Sequence, residues 1–570
     1  MNVWDYIVLV GTLMSIALYG MWRTRGARDL STYLKGDKHT GWATIGLSVM
    51  ATQASAITFL STPGQGYESG IAFVQNYFGM PIALILVAAI FVPLYRRLNV
   101  YTAYEFLGRR FDTKTRVLGA LLFLVQRGLA AGITIYAPAI IVSTVLGWSL
   151  DLTVLLSGAL VIIYTVMGGS GAVTLTQKHQ MAVILAGMAV AFIILVTKLP
   201  AHIGMGDALH VAGGMGRLQA IDFSLDPDRR YTIWSGILGG LFLSLSYFGT
   251  DQSQVQRYLA GGSVRDSRLG LMFNAVLKIP MQFFILLLGA LVFVFYQFER
   301  PPLFFNEAAW ERNVAGAAGG TLRALEERHG ALHEEKEAAI DAWIVARRGG
   351  DAAQEAATRA VVQVKQQELE DLRQQAKDAL VAADPKVKPK DSDYVFITFV
   401  MEHLPHGVIG LLLTVIFAAA LSSSSSELNA LGATTAMDLY RGLIRPGEGE
   451  GHYVVASKLF TAVWGVVAVG FALMLRVAEN LIEQINIIGS LFYGVVLGLF
   501  LVAFFFRRVG GTAVFIAALI AETLVITGYF TLSIGYLWYN LIGCALCVAL
   551  SLALHTVLGN RDHAEEIPTG

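Results

Sequence analysis

Runs of about twenty consecutive apolar residues dominate this chain, and about thirteen of them follow one another along its length. A bilayer offers no water to satisfy backbone N–H and C=O groups, so segments of this length must be helices. Of 570 residues, 55% are hydrophobic and 15% charged, with a mean hydropathy of +0.58. These values belong to an all-α polytopic membrane protein and not to a soluble domain. The predicted spans are Tyr6 to Trp22, Trp42 to Thr62, Ile71 to Leu94, Val117 to Leu146, Leu152 to Met167, Met181 to Leu199, and Trp234 to Phe248 with its continuation. Then come Leu271 to Phe298, Val408 to Leu439, Leu459 to Leu475, Leu481 to Phe506, Val514 to Phe530 and Leu537 to Leu554. The first lacks a basic leader and a small-residue cleavage site, so it reads as a retained helix and not a signal peptide.

Lys and Arg in the short loops orient the chain. Arg23, Arg25, Arg28, Lys35 and Lys38 follow the first span, and Arg96, Arg97, Arg109, Arg110, Lys114 and Arg116 follow the third. Arg257, Arg265 and Arg268, then Arg441 and Arg445, then Arg507 and Arg508 continue the alternation. By the positive-inside rule these loops are cytoplasmic, which puts the N-terminus outside and the C-terminus in the cytoplasm of a cell inner membrane. Zero formal net charge gives no pull toward nucleic acid. Cys544 and Cys547 fall in the last apolar run, where a CxxC pattern reads as small-residue packing and not redox or metal chemistry.

One segment departs from the pattern. From Glu299 to Asp393 the chain turns polar and helix-favouring. Leu322, Leu325, Leu332, Ala339 and Trp343 lie on one 3,4 repeat, and Val362, Leu369, Leu372, Ala376 and Ala379 on another. Gly349 and Gly350 separate the two, which predicts an antiparallel helical hairpin on the extracytoplasmic side, a solvated appendage and a candidate surface for a periplasmic partner. His329 and His333 have metal-ligand spacing on a helix, but on so charged a helix they read as exposed, solvated histidines.

Polar atoms at lipid depth carry the chemistry. Five consecutive serines, Ser422 to Ser426, sit in an apolar helix before Asn429 and Asp438. Hydroxyls at one level of a membrane helix can replace part of an alkali ion's water shell, so the run predicts an ion site. In the second span, Ala51-Thr52-Gln53-Ala54-Ser55 and Thr58 crowd the middle and Pro63, Gly64 and Gly66 follow, which predicts local unwinding beside a cavity. The span from Trp234 has the same character, with Gly236, Gly239, Gly240 and Gly249 before Thr250-Asp251-Gln252. Each of these two spans opens a block of five, the trace of an inverted repeat with its site at the midplane. Asp251 and Lys278 each cost roughly 2.5–3.5 kcal/mol at a helix centre, so they are expected to face a cavity, to pair together, or both.

These residues resemble the sodium/solute symporters, which include bacterial proline, galactose and sialic-acid carriers and animal glucose, iodide and multivitamin carriers. The resemblance rests on Tyr104 to Phe111, on Tyr164 to Gly169 with Ala172-Val173, on Asp251-Gln252 with Gln256-Arg257, and on Ala418 to Asn429 with Asp438 and Tyr440. It implies a LeuT-like core of five plus five helices. It also implies Na+ held by the carbonyls of Ala51, Ala54 and Ala419 and the hydroxyls of Ser422 and Ser423. Some members bind a second sodium through serines one turn on, here Ser425 and Ser426, with an aspartate whose position is Gln177; that lost carboxylate argues against a tightly held second ion. Gln75-Asn76-Tyr77 replaces the glutamate of the sugar carriers, and their glutamine falls at Ile485, between Gln484 and Asn486, so galactose is disfavoured. Gln53, Ser55, Thr58, Gln75, Asn76, Tyr77, Asp251, Lys278, Gln484 and Asn486 are the candidate solute residues. The stretch Ser55 to Pro63 resembles the iodide, monocarboxylate and multivitamin branch, which suits an anionic or amphipathic organic solute near Lys278.

The chain then divides into a first helix and loop (1–41), a first repeat (42–199), an extracytoplasmic loop (200–229), a second repeat (230–508) containing the 299–393 insertion, and two further helices with a tail (509–570). The glycine run Gly168 to Gly171 lacks the strand and Lys-Ser/Thr of a phosphate loop and reads as a tight helix end. No catalytic motif appears, so the chain is not read as an enzyme. Its partners are sodium, a small organic solute and the lipid bilayer. The rival reading is a transporter-like sensor, or a membrane protein that uses the hairpin to bind a partner.

Overall fold

The computed structural model describes residues 2–23, 41–98, 100–385, 387–474 and 480–558. The basic residues Arg25, Arg28, Lys35 and Lys38 lie outside them, as do Leu475 and the side chains of Arg23, of 167–176 and of Lys178. The main helices are α1 (Val3–Arg23), α2 (Trp42–Gln53), α3 (Ala56–Ser69), α4 (Thr113–Leu146), α5 (Leu150–Thr197), α6 (Gly240–Gly249), α7 (Gln252–Leu259) and α8 (Val264–Phe298). They continue as α9 (Gly319–Gly349), α10 (Ala352–Ala383), α11 (Val408–Thr434), α12 (Glu450–Met474), α13 (Leu481–Phe505), α14 (Gly511–Thr531) and α15 (Trp538–Leu558). Among the described residues, nine helical stretches are long and apolar enough to cross a membrane, and three shorter apolar helices accompany them. All thirteen expected segments fall on helix.

Helix assignment is unbroken through α5, including Gly168 to Gly171. Its two halves nevertheless run in opposite directions. Gly158 lies against Val469 and Ile162 against Gly465, so the first half descends α12. Gln177 reaches Ser426 and Gly187 meets Leu412 and Val415, so the second half climbs α11. The chain therefore doubles back between Ile162 and Gln177, and both expected spans lie within α5.

The second span is interrupted as its composition predicts, at Ala54–Ser55 and not at Pro63. Ala54 (φ −86°, ψ 74°) and Ser55 (φ −77°, ψ 177°) leave helical conformation, and the Ser55 hydroxyl caps the restarted helix by accepting from Ile57 N. Pro63 stays inside α3. Its neighbours serve close packing: a Cβ on Gly66 would lie 2.3 Å from the Leu286 carbonyl, and one on Gly289 would lie 2.0 Å from the Pro63 carbonyl. On the other side of the interruption, Gly46 of α2 meets Gly270 and Phe273 of the same helix α8.

The insertion forms the expected hairpin of α9 against α10, but it is docked and not freely solvated. Arg348 pairs with Asp207 at 2.7 Å and His210 with Glu355 at 2.8 Å, and Trp343 is fully buried over Gly214. At its base, Lys390 pairs with Glu68 at the end of α3 at 2.7 Å, and Arg373 and Lys377 both pair with Asp391 at 2.8 Å. His329 and His333 are buried, which corrects the expectation of exposed histidines. Positions 322, 329, 333, 336, 340 and 343 form one 3,4 stripe, so the polar residues occupy a core face. Burial, with Arg373 and Arg300 near, pushes His329 down to about 3; burial beside Lys336 pushes His333 down to about 4. Lys336, buried and bonded to Gln366, is pushed down to about 7. Among the described residues no group of three metal-ligating side chains exists, and the histidine pair alone makes an incomplete site.

Candidate functional site

At the first interruption, backbone is the main resource. In an unbroken helix the Ala51 carbonyl would accept from Ser55 N; here α2 ends at Gln53, and its last carbonyls lose those partners. Helix α11 packs against both α2 and α3 and brings the serine run alongside. Gln177 fixes that placement: its amide donates to Thr52 Oγ1 at 3.2 Å and to Ser426 Oγ at 3.1 Å, and accepts from Ser48. Ser422 Oγ is buried without a partner. The Ser423 hydroxyl donates to the Ala419 carbonyl at 2.9 Å, leaving its oxygen lone pairs free. Ser425 and Ser426 both donate to the Ser422 carbonyl, at 3.1 and 2.9 Å.

The second interruption is built from charge. Asp251 caps α7, where its Oδ1 accepts from Ser253 N at 2.9 Å and from Ser253 Oγ at 2.6 Å. Its Oδ2 accepts from Tyr493 at 2.9 Å and from Arg127. Arg127, 3% exposed, also donates to Glu427 Oε1 at 3.0 Å and to Tyr493. Two carboxylates thus share one guanidinium at lipid depth, tying α4 and α11 to the start of α7. Asp251 and Lys278, expected to face a cavity, to pair together, or both, do not pair. Lys278 is fully buried and sits 5.3 Å from the centre of the Tyr77 ring.

Between the helices that carry the two interruptions lies a cavity of about 90 Å³. Thr52, Gln53 and Ser55 line it from the first interruption, Asn76 and Tyr77 from the next helix, and Gln126 and Arg127 from α4. Ser244, Tyr247, Glu427, Ile482, Ile485, Asn486 and Tyr493 complete the wall with Leu243. At the hairpin end polar contacts hold the start of α13 to α3 and to Asp393. Ile482 N donates to Ser61 at 3.1 Å, Leu481 N donates to Asp393 at 3.3 Å, and Gln65 bonds Glu483 at 3.4 Å and Asn480.

The family model described as "Sodium:solute symporter family" matches residues 33–309 and 377–521. This chain belongs to that family. The match passes over 310–376, which contains all of α9 and most of α10, so the hairpin is an addition to the family's common core. The human sodium/iodide cotransporter is 32% identical over 296 residues, 51% of this chain and 46% of its own. Mouse sodium-coupled monocarboxylate transporter 1 is 34% identical over 280 residues, 48% of this chain and 45% of its own. The chain thus spans about half the length of the curated relatives it matches. A solved structure of a Na+-coupled sialic acid symporter, substrate-bound and outward-open, superposes with a TM-score of 0.73 at 22% identity, covering 98% of this chain and 99% of that one. It is a likeness of fold.

Of the solute residues expected in this family member, Gln53, Ser55, Asn76, Tyr77 and Asn486 line the cavity; Thr58, Gln75, Asp251, Lys278 and Gln484 do not. Gln75 instead staples the loop before α6, accepting from Asp222 N at 3.1 Å and donating to the Tyr231 carbonyl at 3.1 Å. Arg127 and Glu427 were not singled out from sequence. A signal existed in both cases: an arginine in the apolar run Leu121 to Ala130, and a glutamate directly after the serines, each too costly to stand at lipid depth unpaired.

Proposed function

We propose that this family member is a sodium-coupled symporter that imports a small organic solute by alternating access. The core is read as two inverted five-helix repeats among thirteen crossings, with the N-terminus outside, the C-terminus in the cytoplasm and the hairpin on the extracytoplasmic face of an inner membrane. Sodium is assigned to the carbonyls of Ala51, Ala54 and Ala419 and the hydroxyls of Ser422 and Ser423. The observation that carries this assignment is the buried, unpartnered Ser422 oxygen on a serine run held one amide away from the first interruption. Neutral oxygens with free lone pairs suit an alkali ion.

One ion is assigned, not two. At Ser425 and Ser426 the site reserved in some relatives for a second sodium presents the Gln177 amide donor instead of a carboxylate. One sodium moving through about 100 mV releases roughly 2.3 kcal/mol, and a tenfold gradient adds about 1.4 kcal/mol. Together they sustain a several-hundredfold solute gradient.

The test is a thermal-shift titration of the purified full chain with sodium, with potassium as control, followed by a solute panel in each salt. Sodium-specific stabilisation that disappears in Ser422→Ala is expected. Equal melting in sodium and potassium, with no solute whose binding depends on sodium, would remove the assignment.

A further inference from the structure

An open recess of about 570 Å³ lies at the end of α11 away from the hairpin. Its walls come from the short helix Ala103–Arg110, from the start of α4 and from the π-helical turn Thr435–Ile444 that continues α11. Three arginines line it, Arg109, Arg116 and Arg441, against one carboxylate, Glu105. None of the three lines the central cavity or belongs to the proposed sodium shell.

The guanidiniums are committed to different degrees. Arg116, 20% exposed, gives Nε to Asp438 Oδ1 at 2.8 Å and Nη2 to the Met437 carbonyl at 2.9 Å. Its Nη1 makes no hydrogen bond among the described residues. Two glycines leave space around it: a Cβ on Gly108 would stand 2.8 Å from Arg116 Cδ, and one on Gly442 would rest on Nη1 at 3.6 Å. Arg109 is half-exposed, with Nη1 on the Leu98 carbonyl at 2.9 Å and Nη2 4.0 Å from Glu105. Arg441 is exposed and has no ion-pair partner among the described residues. It lies 5.2 Å from the centre of the Tyr453 ring and 5.9 Å from that of Tyr101. A guanidinium stacked on rings is held in place while its in-plane N–H donors stay available.

Charge in the recess is unbalanced. With Asp438 counted behind Arg116, three guanidiniums meet two carboxylates, and Glu105 already accepts from Tyr101 N at 3.0 Å. Asp112 is turned away to cap α4 through Thr115 N and to meet Lys114 at 3.4 Å, so those two charges offset each other. Position narrows the chemistry further. The recess lies where the spans ending at Leu94 and Leu439 and the span beginning at Val117 reach the membrane surface, the level at which basic pockets between helices meet lipid headgroups. The arginine fork matches a pair of oxygens, and a phosphate has enough oxygens to serve arginines from different elements at once.

We propose that this recess is a binding site for an anionic phosphate group, held by Arg109, Arg441 and the open Nη1 of Arg116. The bound group ties the short helix and α4 to the end of α11, the helix that carries the serine run. A lipid headgroup and a free phosphate share this chemistry.

The experiment uses the purified full chain, delipidated in neutral detergent, with binding read by calorimetry and thermal shift. The probes are dihexanoyl phosphatidylglycerol, the net-neutral dihexanoyl phosphatidylcholine, and inorganic phosphate. Phosphatidylglycerol is expected to bind more tightly than phosphatidylcholine. Phosphatidylglycerol without inorganic phosphate identifies a headgroup site, and comparable binding of inorganic phosphate identifies a site for a free anion; either supports the proposal. Arg441→Gln is expected to weaken that binding about tenfold or more, because it removes a charge-assisted fork. Arg445→Gln, outside the recess and beside Glu448, is expected to leave it unchanged. Arg441 is exposed, and Arg109→Gln gives the same readout if that variant does not fold. No binding of either anionic probe overturns the proposal, as does phosphatidylcholine bound as tightly as phosphatidylglycerol with no binding of inorganic phosphate. Affinity that survives both Arg441→Gln and Arg109→Gln, or that falls equally in Arg445→Gln, overturns it too, since the attraction would then be diffuse.

Discussion

The two helix interruptions are built from opposite materials. At Ala54–Ser55 there are small side chains, freed carbonyls and hydroxyls, stapled to the serine run by the neutral amide of Gln177. At Thr250–Asp251 the gap is closed by an arginine shared between two carboxylates and a tyrosine. The contrast shows how one architectural device serves two ends. A gap lined with backbone oxygen stays open to an ion. A gap filled with charged side chains fixes its own geometry and lends a charge to the cavity.

If that contrast holds, the charged interruption is the more fragile. Arg127→Leu strands two buried carboxylates and is expected to cost about 3–5 kcal/mol, read as a large fall in melting temperature. The double variant Arg127→Leu with Glu427→Leu is expected to recover part of that loss. A single variant that melts like wild type would show the trio to be dispensable.

At the neutral interruption the expected effect is on sodium and not on folding. Ser423→Ala or Ser422→Ala removes one oxygen from the proposed shell, and the sodium half-saturation of uptake in proteoliposomes is expected to rise about tenfold, equal to about 1.4 kcal/mol. An unchanged half-saturation would erase the distinction between the two gaps. Smaller still is Ser55→Ala, which loses the cap on Ile57 N and should destabilise by about 1 kcal/mol. A denaturation midpoint identical to wild type would show that α3 restarts without it.

The hairpin is the control lying outside both interruptions. Its buried His329 and His333 have folded values near 3 and 4, below the unfolded value of about 6.5, so the unfolded segment binds more protons in that window. Their contribution is fully present above about pH 6.5 and is lost as pH falls toward 4. Protection factors in α9 and α10, with the intrinsic pH dependence of amide exchange divided out, are expected to fall between pH 7 and 5, and the double variant His329→Leu with His333→Leu to flatten that response. Protection factors independent of pH would show that the stripe is not buried as described.

Much of this was legible from one chain. Apolar segments of bilayer length gave the helices, the Gly349-Gly350 punctuation gave the hairpin, and the small and polar residues around Gln53 and Asp251 marked both interruptions. These are local patterns. The partner of Asp251 was not legible, because Arg127 and Glu427 lie far from it in sequence and only packing brings the three together. His329 and His333 misled because their charged neighbours outweighed a spacing that continued the core stripe. Gln75 misled differently: the resemblance set Gln75-Asn76-Tyr77 where the sugar carriers have a glutamate, whereas the structure turns Gln75 toward the backbone before α6.

Helix α8 acts as a splint across the first interruption. Both fragments of the divided helix touch it without an intervening layer of side chains, α2 at Gly46 against Gly270 and α3 at Gly66 and Pro63 against Leu286 and Gly289. Backbones in direct contact have no slack for sliding. The two fragments therefore cannot change their mutual angle unless the splint flexes with them. Between its two contact points α8 carries Pro280, where a helix lacks one N–H bond and bends most cheaply. The joint at Ala54–Ser55 and Pro280 on the neighbouring rod thus belong to one packed unit, so any change of angle between α2 and α3 has to be matched by bending of α8.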